Sequence, residues 1–268
     1  MQRKLIALDL DGTTLNQNAQ ISPKTQQVLT DLQTAGHIVS IVTGRPNRLS
    51  QPFYDQLALT SPMVNFNGAL AHIPGRQWSD EYQYTINREI VFALLALRNQ
   101  FKIQMIAAEG KTLFLADQAY PNTFSFFPAT LKHDELLTPT SLQQDPAAVT
   151  VFVERDDQAA LRQTILTEFP QVDVNTWGGP ASVLEIVHHG IQKAKGVAHL
   201  ADYYDIPQAD IMAFGDESND LEMLKYAGLG VAMNNAIAPV KAIANEVTPL
   251  TNAQDGVANY LINYFNLA

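Results

Sequence analysis

The segment Leu5-Ile6-Ala7-Leu8-Asp9-Leu10-Asp11-Gly12-Thr13 joins four apolar residues to two carboxylates and a glycine. A short apolar run of this kind reads as a strand buried in the middle of a sheet. In open α/β sheets the crevice beyond the carboxyl ends of the strands is where ligands sit, so Asp9 and Asp11 are expected to face it, and the placement suggests a nucleophile rather than a solvated charge pair. Asp and Gly also make the turns that end strands. The segment alone supports either reading, and the clusters downstream decide between them.

Outward from this strand, Ser22 and Pro23 form a helix N-cap and first-turn pair. Val28, Leu29, Leu32 and Ala35 then recur at helical spacing until Gly36. A second buried strand, Ile38 to Val42, ends at Thr43, Gly44 and Arg45, completing a βαβ unit. A third short segment, Met63 to Phe66, runs into Asn67 and Gly68. The texture changes between Gln83 and His188. There, strand-like segments at Ile103–Ala107, Thr112–Leu115, Val149–Val153 and Val183–Val187 alternate with two helical patterns, Arg88–Phe101 and Gln158–Phe169. After Gly190 the first pattern returns, with a helix from Ala194 to Tyr204, a strand Ile211–Phe214, and the run Gly215, Asp216, Glu217, Ser218, Asn219, Asp220. A further helix, a strand Gly230–Met233 and amphipathic helices near Val240 and Val257 follow. The expected architecture is α/β: a doubly wound, parallel-sheet (Rossmann-like) core from residues 1–82 and 189–268, with an inserted α+β cap over 83–188.

A chain of 268 residues with 46% hydrophobic and 16% charged residues is an ordinary globular composition. No apolar stretch is long enough to span a bilayer, and the start of the chain lacks the pattern of a secretory signal, so a cytoplasmic protein without a membrane partner is expected. The absence of cysteine excludes disulfides, thiolate metal sites and cysteine nucleophiles. Any metal would be held by oxygen or imidazole, which favours a hard cation. A formal net charge of −10, without clustered Lys and Arg, argues against nucleic acid as a partner.

A carboxylate that attacks a phosphoryl group needs a counterion. Two unit negative charges at 4 Å repel by roughly 4 kcal/mol at an effective dielectric near 20, or about three powers of ten in rate. A divalent cation, Mg2+ with oxygen ligands, removes that barrier. Asp216, following its own buried strand, is placed to supply a second carboxylate ligand. The Thr43 hydroxyl and the Gly44 N–H stand ready to donate to phosphate oxygens at the same rim. Lys193, just before a helix, is a candidate to neutralise the remaining charge, with Lys195 as its competitor. Asn219 and Asp220 either bond the site or cap a helix. The joint occurrence of acid pair, metal acid, hydroxyl and cation points to phosphoryl transfer.

These motifs resemble those of the haloacid dehalogenase-like superfamily, and within it the Cof-type phosphatases with a large cap. The matching stretches are DLDGTTL from Asp9, VTGR from Val42, GIQKAKGV from Gly190, GDESND from Gly215 and GVAMNNA from Gly230, and the resemblance covers essentially the whole chain. It implies that Asp9 is the nucleophile, that Asp11 protonates the leaving oxygen and then activates water, and that Asp9, the backbone carbonyl of Asp11, and Asp216 hold Mg2+. It also implies that Leu10, Thr43, Gly44, Lys193 and Asn219 contact the phosphate. Ala194 stands where the family usually has glycine after the lysine. The chemistry agrees, since an aspartyl phosphate needs a general base beside it and one carboxylate serves both proton transfers. The cap is expected to exclude water and select the substrate, a small phosphorylated metabolite.

The expected activity is Mg2+-dependent phosphomonoester hydrolysis by a monomer or homodimer. The alternatives are a phosphotransferase or sugar-phosphate mutase on the same site, or a non-catalytic sensor of phosphorylated ligands. Gly228 and Gly230 superficially suggest a dinucleotide loop, but Val231, Ala232 and Met233 continue as a strand with no helix opening. Adjacent His188 and His189 would point to opposite faces of a strand, which disfavours a shared metal and favours a place at a hinge. Phe124, Phe126, Phe127 and the Trp177-Gly178-Gly179 segment are expected to serve packing or a loop rather than a pocket.

Overall fold

The computed structural model describes residues 2–120, 126–177 and 182–267. The chain divides into two compact units, Met1–Tyr82 with Gln192–Ala268, and Gln83–Ile191.

In the first unit, β1 (Leu5–Leu8) leads through a π-type turn to α1 (Pro23–Thr34), β2 (Ile38–Ile41), α2 (Asn47–Gln56), β3 (Met63–Asn65) and β4 (Leu70–His72). The two-residue β5 (Tyr82–Gln83) marks the passage into the second unit. That unit contains α3 (Glu89–Leu97), β6 (Ile103–Glu109), β7 (Phe114–Ala116), β8 (Ala148–Val153), α4 (Arg155–Glu168), β9 (Val172–Thr176) and β10 (Val183–His188). The first unit then resumes with α5 (Lys193–Tyr203), β11 (Ile211–Gly215), α6 (Leu221–Tyr226), β12 (Leu229–Ala232), α7 (Ala238–Ile243), β13 (Glu246–Val247) and α8 (Gly256–Phe265).

The main sheet of the first unit has the order β13-β12-β11-β1-β2, and its neighbouring strands are parallel. A single parallel bridge from Val42 to Val64 extends it toward β3. From β1 the chain adds strands on one side, then crosses to β11 and builds outward on the other. The direction of winding therefore reverses between β1 and β11, the point where doubly wound sheets leave a crevice. Leu5, Ile6, Ala7 and Leu8 are all fully buried, as a central strand covered on both faces requires. Ser22 caps α1 by accepting the Thr25 N–H at 3.0 Å, and α1 packs against α8 while α5 packs against α6.

The second unit is α+β. Its sheet, in the order β7-β6-β8-β10-β9, is antiparallel throughout. Ile90, Val91 and Leu94 of α3 and Leu161 and Ile165 of α4 pack with Ile106, Ala108, Val149 and Val151. A second cluster gathers Phe152, Met105 and Phe127 with the partly buried Phe126 and Trp177. The aromatic residues at 126, 127 and 177 are thus packing residues, while Phe124, Gly178 and Gly179 lie outside the described residues.

Several boundaries differ from the periodicity. The strand expected from Thr112 begins at Phe114 because the Gly110 N–H bonds the Leu113 carbonyl, closing a tight turn through residues 111 and 112. The third segment stops at Asn65 because Phe66 turns to φ +50°. Helix α2 was not expected at all: Pro52 lies inside it, and proline argues against a helix interior. Gly230 sits within β12 as a strand residue. His189 Nδ1 shares a 2.9 Å bond with Asp173 Oδ1. Among the described residues no helix is long and apolar enough to cross a membrane.

Candidate active site

Asp9 continues the β1 ladder, its N–H donating to the Phe214 carbonyl at 3.2 Å. The chain then winds through residues 10–14, closed by the Leu15 N–H on the Leu10 carbonyl at 2.8 Å. Two side chains stabilise this turn. The Thr14 hydroxyl donates to the Asp9 carbonyl at 2.6 Å, and the Asn235 amide donates to the Gly12 carbonyl at 2.7 Å. Gly12 has φ +69°, and a Cβ there would lie 2.1 Å from Asp216 Oδ2. Only glycine satisfies both the left-handed backbone and the approach of that carboxylate.

Lys193, the first residue of α5, is fully buried. Its ammonium donates to Asp9 Oδ1 at 2.6 Å and to Asp220 Oδ1 at 2.7 Å. A cation at the positive end of a helix is unfavourable by itself, so these two carboxylates are what hold it there. Asp220 performs both tasks that its sequence position leaves open. One oxygen takes Lys193, and the other accepts the N–H groups of Asp216 at 2.9 Å and Glu217 at 3.1 Å. Asp216 in turn accepts the Thr13 hydroxyl at 3.1 Å.

Ligand atoms from Asp9, Asp216 and Asp220 lie within 4.8 Å of one another, and all three residues are buried. Burial pushes the Asp9 carboxyl well above the ordinary carboxylate range, with Lys193 opposing and Asp220 and Asp216 adding to the rise. Burial, and then the Asp220 charge, push Asp216 up to about 7. Burial alone would lower the Lys193 ammonium, but Asp220 and Asp9 outweigh it and hold the group charged. Three carboxylates around one lysine leave negative charge that a proton or a cation must offset. The donor set is oxygen only, and the space beside Asp216 is kept open by the missing side chain at Gly12. These residues fit a hard divalent cation.

The Asp11 carboxylate does not join this cluster. The turn directs it outward, 52% exposed, where Arg45 Nε and Nη2 bond its two oxygens at 2.7 and 2.6 Å. Thr43 and Gly44 follow β2 beside β1. Thr43 is buried, and its hydroxyl accepts the Arg45 N–H at 3.1 Å. The Leu10 side chain is fully buried in the apolar core, which leaves its backbone as the part able to meet a ligand. Asn219, in the turn after β11, donates to Asn67 Oδ1 at 3.0 Å. Lys195 is exposed on the first turn of α5 and Lys193 is the lysine in the cluster.

Sequence reasoning did not assign Thr13, Arg45, Asn67 or Asn235. Thr13, Arg45 and Asn235 lie inside the quoted motifs, and Asn67 is the polar residue that follows β3. A Gly12→Ala substitution is expected to destabilise the protein by about 2–3 kcal/mol, from the clash and the positive φ together, and to weaken divalent-cation binding. Urea denaturation and a Mg2+ titration check this. A variant as stable as its parent would show that the Asp216 approach costs nothing.

A model of the haloacid dehalogenase-like hydrolases matches residues 6–261. The 5-amino-6-(5-phospho-D-ribitylamino)uracil phosphatase YitU of Bacillus subtilis is 38% identical over 267 residues, covering 98% of each chain. A second B. subtilis 5-amino-6-(5-phospho-D-ribitylamino)uracil phosphatase, YcsE, is 27% identical over 95% of this chain and 93% of its own. The crystal structure of a haloacid dehalogenase-like hydrolase from Bacteroides thetaiotaomicron superposes with a TM-score of 0.82 at 25% identity, covering 98% of this chain and 100% of that one. A doubly wound unit ending in this acidic cluster, matched along nearly its whole length, belongs to the haloacid dehalogenase-like hydrolases, and the chain is a phosphomonoesterase of that family.

Proposed function

We propose that the protein hydrolyses small phosphorylated metabolites in the cytoplasm, with Mg2+ as its cation and through a phosphoryl group carried transiently by Asp9. The observation that supports this most directly is the buried Lys193, bonded to both Asp9 and Asp220 at the end of the central strand. A carboxylate held this way has a fixed direction of attack and a fixed positive neighbour.

Asp9 attacks phosphorus with a carboxylate oxygen, and the ester P–O bond breaks as Asp11, in its acid form, gives its proton to the departing oxygen. The resulting Asp11 carboxylate then takes a proton from water, whose oxygen attacks the same phosphorus. The bond from phosphorus to Asp9 breaks, releasing inorganic phosphate and restoring the Asp9 carboxylate and the Asp11 acid. Asp11 is half exposed and open to solvent water, and its two oxygens accept from Arg45 as a carboxylate does, so its part in proton transfer requires that pair to open. Lys193, the Thr43 hydroxyl, the N–H groups of Leu10 and Gly44, and the Asn219 amide would hold the phosphate oxygens. Asp9, Asp216 and the Asp11 carbonyl would hold Mg2+, which when bound supplies the charge that offsets repulsion between carboxylate and phosphate. The ribityl phosphate named for the 38% identical relative is the substrate we favour within the class, and the inserted unit is the part we assign to selecting it.

The test is phosphate release across a panel of phosphorylated metabolites, that compound and sugar phosphates included, with Mg2+ and with chelator. Free phosphate supports hydrolysis, whereas isomerised sugar phosphate without release would establish a mutase. Bound ligand with no turnover anywhere in the panel would establish a sensor. The pH dependence is a further expectation. Asp216 has a folded-state value near 7, above its ordinary 3.8, so the metal-free protein binds more protons folded than unfolded between those values. Its stability therefore falls as pH rises from about 4 to about 7. Mg2+ must displace that proton, and any on the raised Asp9 carboxyl, so its apparent affinity rises with pH through about 7. Calorimetric titration at pH 5.5, 7 and 8.5 measures this, and an affinity independent of pH would contradict it.

A further inference from the structure

Three consecutive residues, Phe66, Asn67 and Gly68, have φ of +50°, +55° and +108°. Glycine adopts this region freely and asparagine tolerates it, but a buried phenylalanine does so only where its surroundings impose it. The surroundings are on both sides. Upstream, the fully buried Asn65 donates to the Arg45 carbonyl and to Ser50 Oγ, both at 2.9 Å, and bonds His72 Nε2 at 3.0 Å. Downstream, Gly68 presses on the residue before Lys193, since a Cβ there would lie 2.4 Å from the Gln192 carbonyl oxygen. The Asn67 N–H donates to the Thr43 carbonyl at 3.1 Å. Strain held by such a network gathers where geometry serves function.

What the turn delivers is the Asn67 amide. Its Oδ1 accepts from Asn219 Nδ2 at 3.0 Å, and a Cβ on Gly44 would lie 3.0 Å from the same oxygen. Gly44 follows β2 and Asn219 follows β11, strands that flank β1 on opposite sides. We infer that Asn67 is a positioning residue that braces Gly44 and Asn219 across the end of β1, so that the two halves of the phosphate cradle hold one spacing. The inference rests on the assignment of Gly44 and Asn219 to the phosphate. Groups that hold non-reacting oxygens act equally in the ground state and the transition state, so losing their preorganisation raises KM and leaves kcat nearly unchanged.

Asn67→Gly is the informative substitution, because glycine keeps the positive φ and removes only the amide. The expected result is a rise of about tenfold in KM for an aryl phosphate and in the inhibition constant of inorganic phosphate. The expected kcat is within about threefold of the parent, and Tm is little changed. Because the brace joins Asn219 to Gly44, removing Asn67 is expected to cost less phosphate affinity in an Asn219→Ala background than in the parent. Unchanged KM in Asn67→Gly overturns the inference, as does a fall in Tm without a rise in KM, or losses that multiply in the double variant. Asp9→Asn measured alongside separates the two levels. Turnover surviving in Asp9→Asn removes the nucleophile assignment, whereas inactive Asp9→Asn with unaltered Asn67→Gly removes only the brace.

Discussion

Asn in place of Asp9 will abolish phosphate release from a generic aryl phosphate, by about four powers of ten or more, the scale on which loss of a nucleophile acts. The variant will fold. Asn matches Asp in shape, and Lys193 keeps its second carboxylate at Asp220. In the presence of chelator its Tm will be no lower than that of the parent, because the substitution removes one carboxylate from a buried cluster in which burial and two like charges raise Asp9. Two measurements therefore move in opposite directions, turnover down and metal-free stability unchanged or up. A misfolded variant would lose both, and retained turnover would show that another group attacks phosphorus.

Lys193→Met will be the most destabilising substitution in the site. Methionine fills the volume of the lysine stem but leaves Asp9, Asp216 and Asp220 buried without the ammonium that bonds two of them. Removing one partner of a buried pair costs about 3–5 kcal/mol, out of a total stability of about 5–15 kcal/mol. Urea denaturation at pH 7 in chelator reads the loss. The direction with pH is set by the raised carboxyls of Asp9 and Asp216. Protonation removes the uncompensated charge, so the variant regains stability as pH falls from 7 toward 5. Equal stability of variant and parent at pH 7 would mean that the lysine offsets nothing.

The two substitutions differ because the two residues carry different burdens. Asp9 is one of three carboxylates buried together, and the nucleophile role we propose for it would account for keeping an acid there, whereas Lys193 is the counter-charge bonded to two of the three. Natural chains hold such clusters at functional sites at a cost in stability, and burial raises the Asp216 carboxyl in the direction such a cost takes.

Much of the framework was legible in the amino-acid order. Fully apolar strands at Leu5–Leu8 and Ile211–Phe214 announced a parallel sheet covered on both faces, and Ser22-Pro23 announced α1. The change of texture after Gln83 announced a different kind of sheet. Helix α2 was hidden because its interior proline opposes the local pattern, and its packing beside β3 exists only in the folded chain. The shift of β7 to Phe114 depended on one backbone bond at Gly110, which no side chain signals.

For the site, sequence by itself determined the kinds of groups present: carboxylates at strand ends, a hydroxyl and glycine after β2, a lysine ahead of α5, and no thiolate, which left oxygen or imidazole as ligands. Those properties belong to single residues and to their place in short periodic segments. Only the tertiary structure decided which groups meet. It chose Lys193 over Lys195 by placing one inside the cluster and the other on the surface of the same helix turn. It drew Asp220 in as the second partner of that lysine, sent the Asp11 carboxylate out to Arg45, and set Asn67 between Gly44 and Asn219. The physical reason is range: propensity and periodicity act over a few residues, whereas the Lys193 contacts span 184 and 27 positions. Contacts of that kind exist only once β1, β11 and α5 have packed around one core.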